Sequence, residues 1–268
     1  MLNKISLHDT DIIMTYRGAT PEREENLYAV LSHFEYTYTD YRIFLMEADA
    51  APKFDWSRLS NPRIHHYFHH DSGPFPKALL CNTGVKLASS DVICLHDNDS
   101  IAEPHTLSGI IKDVMMSDVA KVLCPFHSVI NVSGVAKQNF MDNPDYAQFQ
   151  GFSIENLPAD YNLLYHGAAG GINVWRRADF IRVGGVNTAF VGWGGEDNEL
   201  LTRSSQLGIS WSSMITSMFH LNHDSINRKH FFQENEAAQS NMLYAEKLRK
   251  SSLEDIQATA EQLNQFFR

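Results

Sequence analysis

The chain has 268 residues with 22 Lys+Arg against 32 Asp+Glu, a formal net charge of −10. That balance excludes a general nucleic-acid binder, whose phosphate-tracking surface needs clustered Lys and Arg. A content of 43% hydrophobic and 20% charged residues excludes a disordered or collagen-like chain.

A chain of this length buries enough surface to hold a core without disulfides or a structural metal. Cys81, Cys94 and Cys124 fall in apolar stretches with no CxxC spacing, and read as small hydrophobes in a reducing compartment. The first ten residues lack the basic-then-apolar pattern of a signal peptide, and no apolar run approaches the roughly 18 residues of a membrane span. The expected location is cytoplasmic, at most peripheral to the inner face of the membrane.

In chain order, Ile12-Ile13-Met14-Thr15 predicts a short buried strand. Thr20-Pro21 reads as a helix cap with proline at the first helical position. Leu27, Val30, Leu31 and Phe34 follow at i, i+3, i+4, i+7, the apolar stripe of an amphipathic helix. Arg42 to Met46 predicts a strand, Lys77 to Ala88 a helix, and Val92 to Leu95 the most fully apolar strand. Pro104 opens a helix with the stripe Leu107, Ile110, Ile111 and Val114, and Val122 to Cys124 predicts a further strand. Residues 139–164 lose periodicity and read as long loops of a binding site. Glycines then cluster at Gly167, Gly170, Gly171, Gly184, Gly185, Gly192, Gly194 and Gly195. Trp211 to Phe219 is strand-like. Two helical segments close the chain, around Phe231–Lys250 and Leu253–Phe267. Strands alternating with helices predict an α/β fold, a mostly parallel sheet flanked by helices, with ligands beyond the carboxyl ends of the strands.

Asp97-Asn98-Asp99 follows the buried strand directly. Two carboxylates one residue apart there can converge on a hard divalent cation, although Asp and Asn also favour plain turns. Gly192-Trp193-Gly194-Gly195-Glu196-Asp197 offers close backbone approach, a flat indole for a sugar ring, and two acids opening a helix. His220-Leu221-Asn222-His223 can supply one or two imidazole ligands. Those two histidines face the same way only if the chain between them turns, so the strand is expected to end before His220. His65, His66, His69 and His70 would divide between the two faces of a strand, and are not expected to bind metal.

The order Asp-x-Asp, Gly-Trp-Gly-Gly-Glu-Asp, His-x-x-His resembles the GT-A glycosyltransferases. The likeness is to the metal-dependent inverting branch of the beta-1,4-galactosyltransferases and chondroitin-type hexosaminyltransferases, and extends from Ile12 to about Asp224. Phe75-Pro76-Lys77-Ala78-Leu79-Leu80-Cys81-Asn82-Thr83-Gly84 is similar to that family's Phe-Asn-Arg-Ala-x-x-x-Asn-x-Gly segment. The resemblance implies a GT-A domain over residues 1–228, with a nucleotide-binding half (1–126) and an acceptor-binding half (127–228). A C-terminal helical extension over 229–268 lies outside it.

Position by position, the resemblance implies Asp99, His220 and His223 as ligands of Mn2+ or Mg2+. It implies Asp197 as catalytic base, with Glu196, Trp193 and Gly194 at the acceptor. Thr15, Tyr16, Arg17, Glu47, Lys77, Asn82, Asp97, Asn98 and Gly171 would hold the nucleotide sugar. Lys77 replaces an arginine and loses its bidentate geometry. Asn198 stands where the galactosyltransferases carry a third acid, so their acceptor specificity does not carry over. The expected activity is inverting transfer of a hexose or N-acetylhexosamine from a UDP-sugar to a glycan or glycolipid acceptor. One alternative is a non-catalytic sugar- or nucleotide-binding protein of the same fold. The other is an Asp-x-Asp phosphohydrolase, which would want Thr or Val where Ile101 stands.

Overall fold

The computed structural model describes residues 3–167, 170–192, 194–223 and 235–268. Its first half runs β1 (Ile5–Tyr16), α1 (Pro21–Thr37), β2 (Tyr38–Asp49), β3 (Ile64–His70), α2 (Lys77–Leu87), β4 (Val92–Asp97), β5 (Ser100–Ile101), α3 (Pro104–Met116) and β6 (Lys121–Cys124). Then follow β7 (Ser128–Val132), α4 (Gly134–Asp142), β8 (Tyr161–His166), β9 (Ile172–Arg176), α5 (Arg177–Arg182), α6 (Glu196–Gln206), β10 (Ser210–Ser213), β11 (Ser217–Leu221), α7 (Glu236–Arg249) and α8 (Leu253–Asn264).

A seven-stranded sheet has the order β10-β6-β9-β4-β1-β2-β3, and a four-stranded one the order β5-β11-β7-β8. In the larger sheet only β9 runs antiparallel to its neighbours, so the mostly parallel sheet is as expected. Period-two alternation sorts its side chains. Ile12, Met14, Ile43, Leu45 and Cys94 join α1 and α3 in one core, while Ile13, Phe44, Met46, Ile93 and Leu95 join α2 and α6 in the other. Helices therefore cover both faces. The start of α1 follows its sequence signals, with Thr20 accepting from the Arg23 amide and Pro21 at the first position.

Several expectations need correction. Residues 139–164 are not merely loops, because they include the end of α4, two short 3-10 turns and the start of β8. The run Trp211–Phe219 is two strands. β10 pairs with β6 in the large sheet, and β11 with β7 in the small one. Both strand pairs cross between the sheets together, tied by Met214 N–H donating to Cys124 O at 3.0 Å and His127 N–H to Thr216 O at 2.9 Å. β9 inserts between β4 and β6 in the large sheet. The C-terminal helices pack back on the domain: α7 lies against α6, and α8 against α5 and α6. Part of the segment expected to be helical from Phe231 falls outside the described residues. No described helix is long and apolar enough to cross a membrane.

One buried ion pair anchors α6. Arg203 and Glu199 are each about 1% exposed at the side chain, and Arg203 Nε and Nη2 donate to the two Glu199 oxygens at 2.6 and 2.9 Å. The remaining guanidinium N–H groups reach Val183 O and, at 2.7 Å, Gly185 O. Arg203→Met leaves a buried carboxylate alone, and is expected to lower stability by about 3–5 kcal/mol in urea denaturation, with much of it recovered on adding Glu199→Met.

Candidate functional site

β4 ends by sending its two acids in opposite directions. Asp97, the last residue of β4, donates its N–H to Gly171 O at 2.7 Å and turns its carboxylate toward Lys77. Asp99, two residues on, precedes β5 and faces β11. The pair therefore does not converge on one point. Asn98 between them donates to Thr15 O at 2.6 Å, which fixes the turn against the end of β1.

Lys77 opens α2, and its ammonium lies 3.4 Å from Asp97 Oδ1, 3.3 Å from Glu196 Oε1 and 3.5 Å from Asp197 Oδ2. Burial opposes its charge, but Asp197, Asp97 and Glu196 together keep it well above the ordinary lysine range. Burial lifts Asp97 to about 6, against the pull of Lys77 and with Asp99 adding like charge. Burial and then the Asp197 charge raise Glu196. Glu196 and Asp197 occupy the first turn of α6, which Gly195 caps with φ 87°, a backbone that L side chains rarely adopt. A Cβ on Gly170 would stand 2.1 Å from Asp197 Oδ2, so a side chain there would push that carboxylate aside. Thr15, Lys77, Asp97, Gly171, Glu196 and Asp197 line one narrow recess.

On the other side, Asp99 Oδ2 lies 3.1 Å from His223 Nε2 and 3.6 Å from His220 Nε2. Burial opposes the Asp99 charge, yet the two imidazoles hold its carboxyl well below the usual carboxylate range. The ligand atoms of the three residues lie within 4.8 Å of one another, close enough for all to bond one cation. One carboxylate and two imidazoles suit a divalent metal. Contrary to expectation, the strand does not end before His220. β11 runs to Leu221, Asn222 N–H still donates to Val132 O at 2.8 Å, and the His223 ring centroid lies 5.1 Å from that of His220. Behind them, His220 Nδ1–H donates to Asn131 Oδ1 at 3.0 Å, which directs Nε2 toward Asp99. The Asn131 amide is held by Asn162 and Asn222, whose side-chain oxygens accept from Nδ2 at 3.2 and 3.1 Å.

Other expected contacts turn inward. Glu47 is fully buried, and its oxygens accept from Lys53 N–H at 2.5 Å and Phe54 N–H at 3.4 Å and meet His66 Nε2 at 2.6 Å. Arg17 donates to the carbonyls of Ala48, Gly73 and Asp71. Asn82 is bonded at both ends of its amide to the Val186 backbone. These bonds brace the fold. Tyr16 is buried at the end of β1, and its hydroxyl has no hydrogen-bond partner among the described residues. Gly194, at φ 97°, has open space where a Cβ would stand, whereas Trp193 lies outside the described residues. Sequence reasoning missed Asn131, which sits on an unassigned strand, and noted Gly170 only as one of a cluster.

Residues 150–224, less than a third of the chain, match the family described as the N-terminal domain of galactosyltransferase. No curated protein matches the chain. Among solved structures, the mannosyltransferase PcManGT from Pyrobaculum calidifontis, in complex with GDP-Man and Mn2+, is 14% identical with a TM-score of 0.51. That alignment covers 98% of this chain and 74% of the other. The catalytic domain of Drosophila beta1,4-galactosyltransferase 7 in complex with xylobiose is 15% identical, TM-score 0.42, covering 85% and 81%. A variant of that enzyme with manganese, UDP-Gal and xylobiose is 16% identical, TM-score 0.43, with the same coverage. The fold is that of a GT-A glycosyltransferase.

Two outcomes follow from the geometry. Asn131→Leu, which removes the acceptor behind His220, is expected to weaken binding of a divalent cation 10–100-fold by isothermal titration. Asp97 has a carboxyl raised from 3.8 to about 6, so its ionisation weakens the fold as pH climbs through that interval. In metal-free buffer, the stability of the wild type relative to Asp97→Asn is expected to fall across that window in urea melts at stepped pH.

Proposed function

We propose that the chain is a metal-dependent inverting glycosyltransferase, moving a hexose or N-acetylhexosamine from a UDP-sugar to a glycan acceptor. The observation that carries the reading is the placement of a one-carboxylate, two-imidazole group and a pair of helix-start carboxylates on opposite sides of Asp97. The likeness of residues 150–224 to a galactosyltransferase domain supports the same class.

Asp99, His220 and His223 would hold Mn2+ or Mg2+. The ion would offset the charge that a leaving diphosphate acquires. Thr15, Asp97 and Gly171 line the narrow recess against which the donor sugar would sit. Asp197 is the base in this reading. Its side chain is 26% exposed where that of Glu196 is 8%, so an acceptor hydroxyl reaches it more readily. Asp197 takes the proton as the acceptor oxygen forms its bond to the anomeric carbon. The bond to the diphosphate breaks with its electron pair going to phosphate oxygen, and displacement from the face opposite the leaving group inverts that carbon. Lys77 Nζ, 3.5 Å from Asp197 Oδ2, orients that carboxylate, and Glu196 is placed to bind an acceptor hydroxyl. Gly194 leaves room for the acceptor ring, with Trp193 as its stacking surface.

A panel of nucleotide sugars with and without Mn2+ identifies the donor by thermal shift, where ligand at 100 times its Kd adds about 2.7 kcal/mol of stability. With that donor and an acceptor, Asp197→Asn is expected to slow release of the nucleoside diphosphate about 10²–10⁴-fold while donor binding is unchanged. Asp99→Ala should instead remove the manganese dependence of nucleotide binding. Near wild-type transfer by Asp197→Asn would shift the base to Glu196.

A further inference from the structure

A groove outside the recess runs along α6 from Asn198, the residue after the proposed base. It has a volume of about 410 Å³ and lies between one face of α6 and the edge strand β10. Asn198, Thr202, Ser205 and Gln206 line the helix side, with Trp211 and Gly167 across from them. Asn198 directly follows Asp197, and the eight residues to Gln206 rise about 12 Å along the helix, room for more than one sugar ring.

The lining decides the chemistry of the occupant. It holds amide and hydroxyl groups and no charged side chain, so nothing in it would hold a phosphate or carboxylate. Asn198, Ser205 and Gln206 are exposed, as is the Trp211 ring, at 40%. Trp211 is pinned in place, because its indole N–H donates to Cys124 Sγ at 3.4 Å. A fixed apolar ring opposite a row of amides and hydroxyls matches a neutral polyhydroxylated chain, whose C–H faces stack while its hydroxyls bond. A hydrophobic peptide would want an aliphatic lining, which Leu201 alone does not make.

We infer that this groove is an extended acceptor subsite that takes a neutral oligosaccharide, with Trp211 as the platform for a ring beyond the reacting one. The inference rests on the transferase reading only in that Asn198, at one end of the groove, follows the proposed base in α6. It makes the protein a reader of acceptor length, one that elongates an existing glycan.

The test titrates neutral oligosaccharides of one to six residues, built from glucose, galactose or N-acetylhexosamine, by calorimetry and saturation-transfer NMR in the presence of Mn2+ and UDP. Wild type is compared with Trp211→Ala, which removes the platform, and with Ser205→Arg, which fills the groove from the exposed helix face and leaves the strand intact. At least one series should tighten about tenfold as it lengthens from one ring to four. Both variants should return the longer members to the affinity of the monosaccharide, and Ser205→Arg should do so with an unchanged melting temperature. Absence of length dependence in the wild type overturns the subsite, as does length dependence that survives both substitutions. Displacement of the sugars by unglycosylated neutral peptides of equal affinity overturns it too. If UDP fails to bind the wild type while the length dependence holds, the groove stands as a glycan site and the transferase reading falls.

Discussion

One ammonium group serves three carboxylates. Lys77 stands within 3.5 Å of Asp97, Glu196 and Asp197, and it does so from the first position of a helix, where the backbone dipole disfavours a cation. The acids outweigh that penalty, and without the lysine they would repel one another across a partly dry recess. Their convergence also ties three separate elements together, the end of β4 and the starts of α2 and α6. The same crowding leaves the recess with more negative than positive charge. A diphosphate would enter it only with further positive charge, and the Asp99–His220–His223 group is where the chain could supply that.

The acids of α6 are only as well aimed as the helix itself. The Glu199–Arg203 pair fixes it to the carbonyls of the Val183–Gly185 loop, and Asn82 holds the next residue, Val186, to α2. Gly184 lets α8 approach so closely that a Cβ there would lie 2.6 Å from Leu263 Cβ. Residues far from the recess therefore set the angle at which Asp197 enters it.

Much of this was legible in the sequence because its signals are local. The stripe of α1, its Thr20-Pro21 start and the apolar run of β4 each follow from residues a turn or a strand apart. The positions of Asp97 and Asp99 followed from the strand before them. The strands β7, β8 and β9 escaped because two are short and β8 is half polar, so neither length nor alternation marks them. The division of Trp211–Leu221 between two sheets is set by partners some ninety residues away, the β6 and β7 strands, which no window around Met214 contains. Glu47 and Asn82 sit at the right strand end and helix face for a ligand, yet their hydrogen bonds are spent on backbone that only folding brings near.

The passage of two strand pairs from one sheet to the other makes a seam through the molecule. Asp99 lies on it, between the end of β4 in the large sheet and β5 in the small one, while both histidines belong to the β11 side. A cation bonded to all three would be a rivet through that seam. By linkage, whatever bends the sheets apart would loosen the ion, and whatever binds the ion would stiffen the joint. Metal loading would then be felt as rigidity in strands that never touch it.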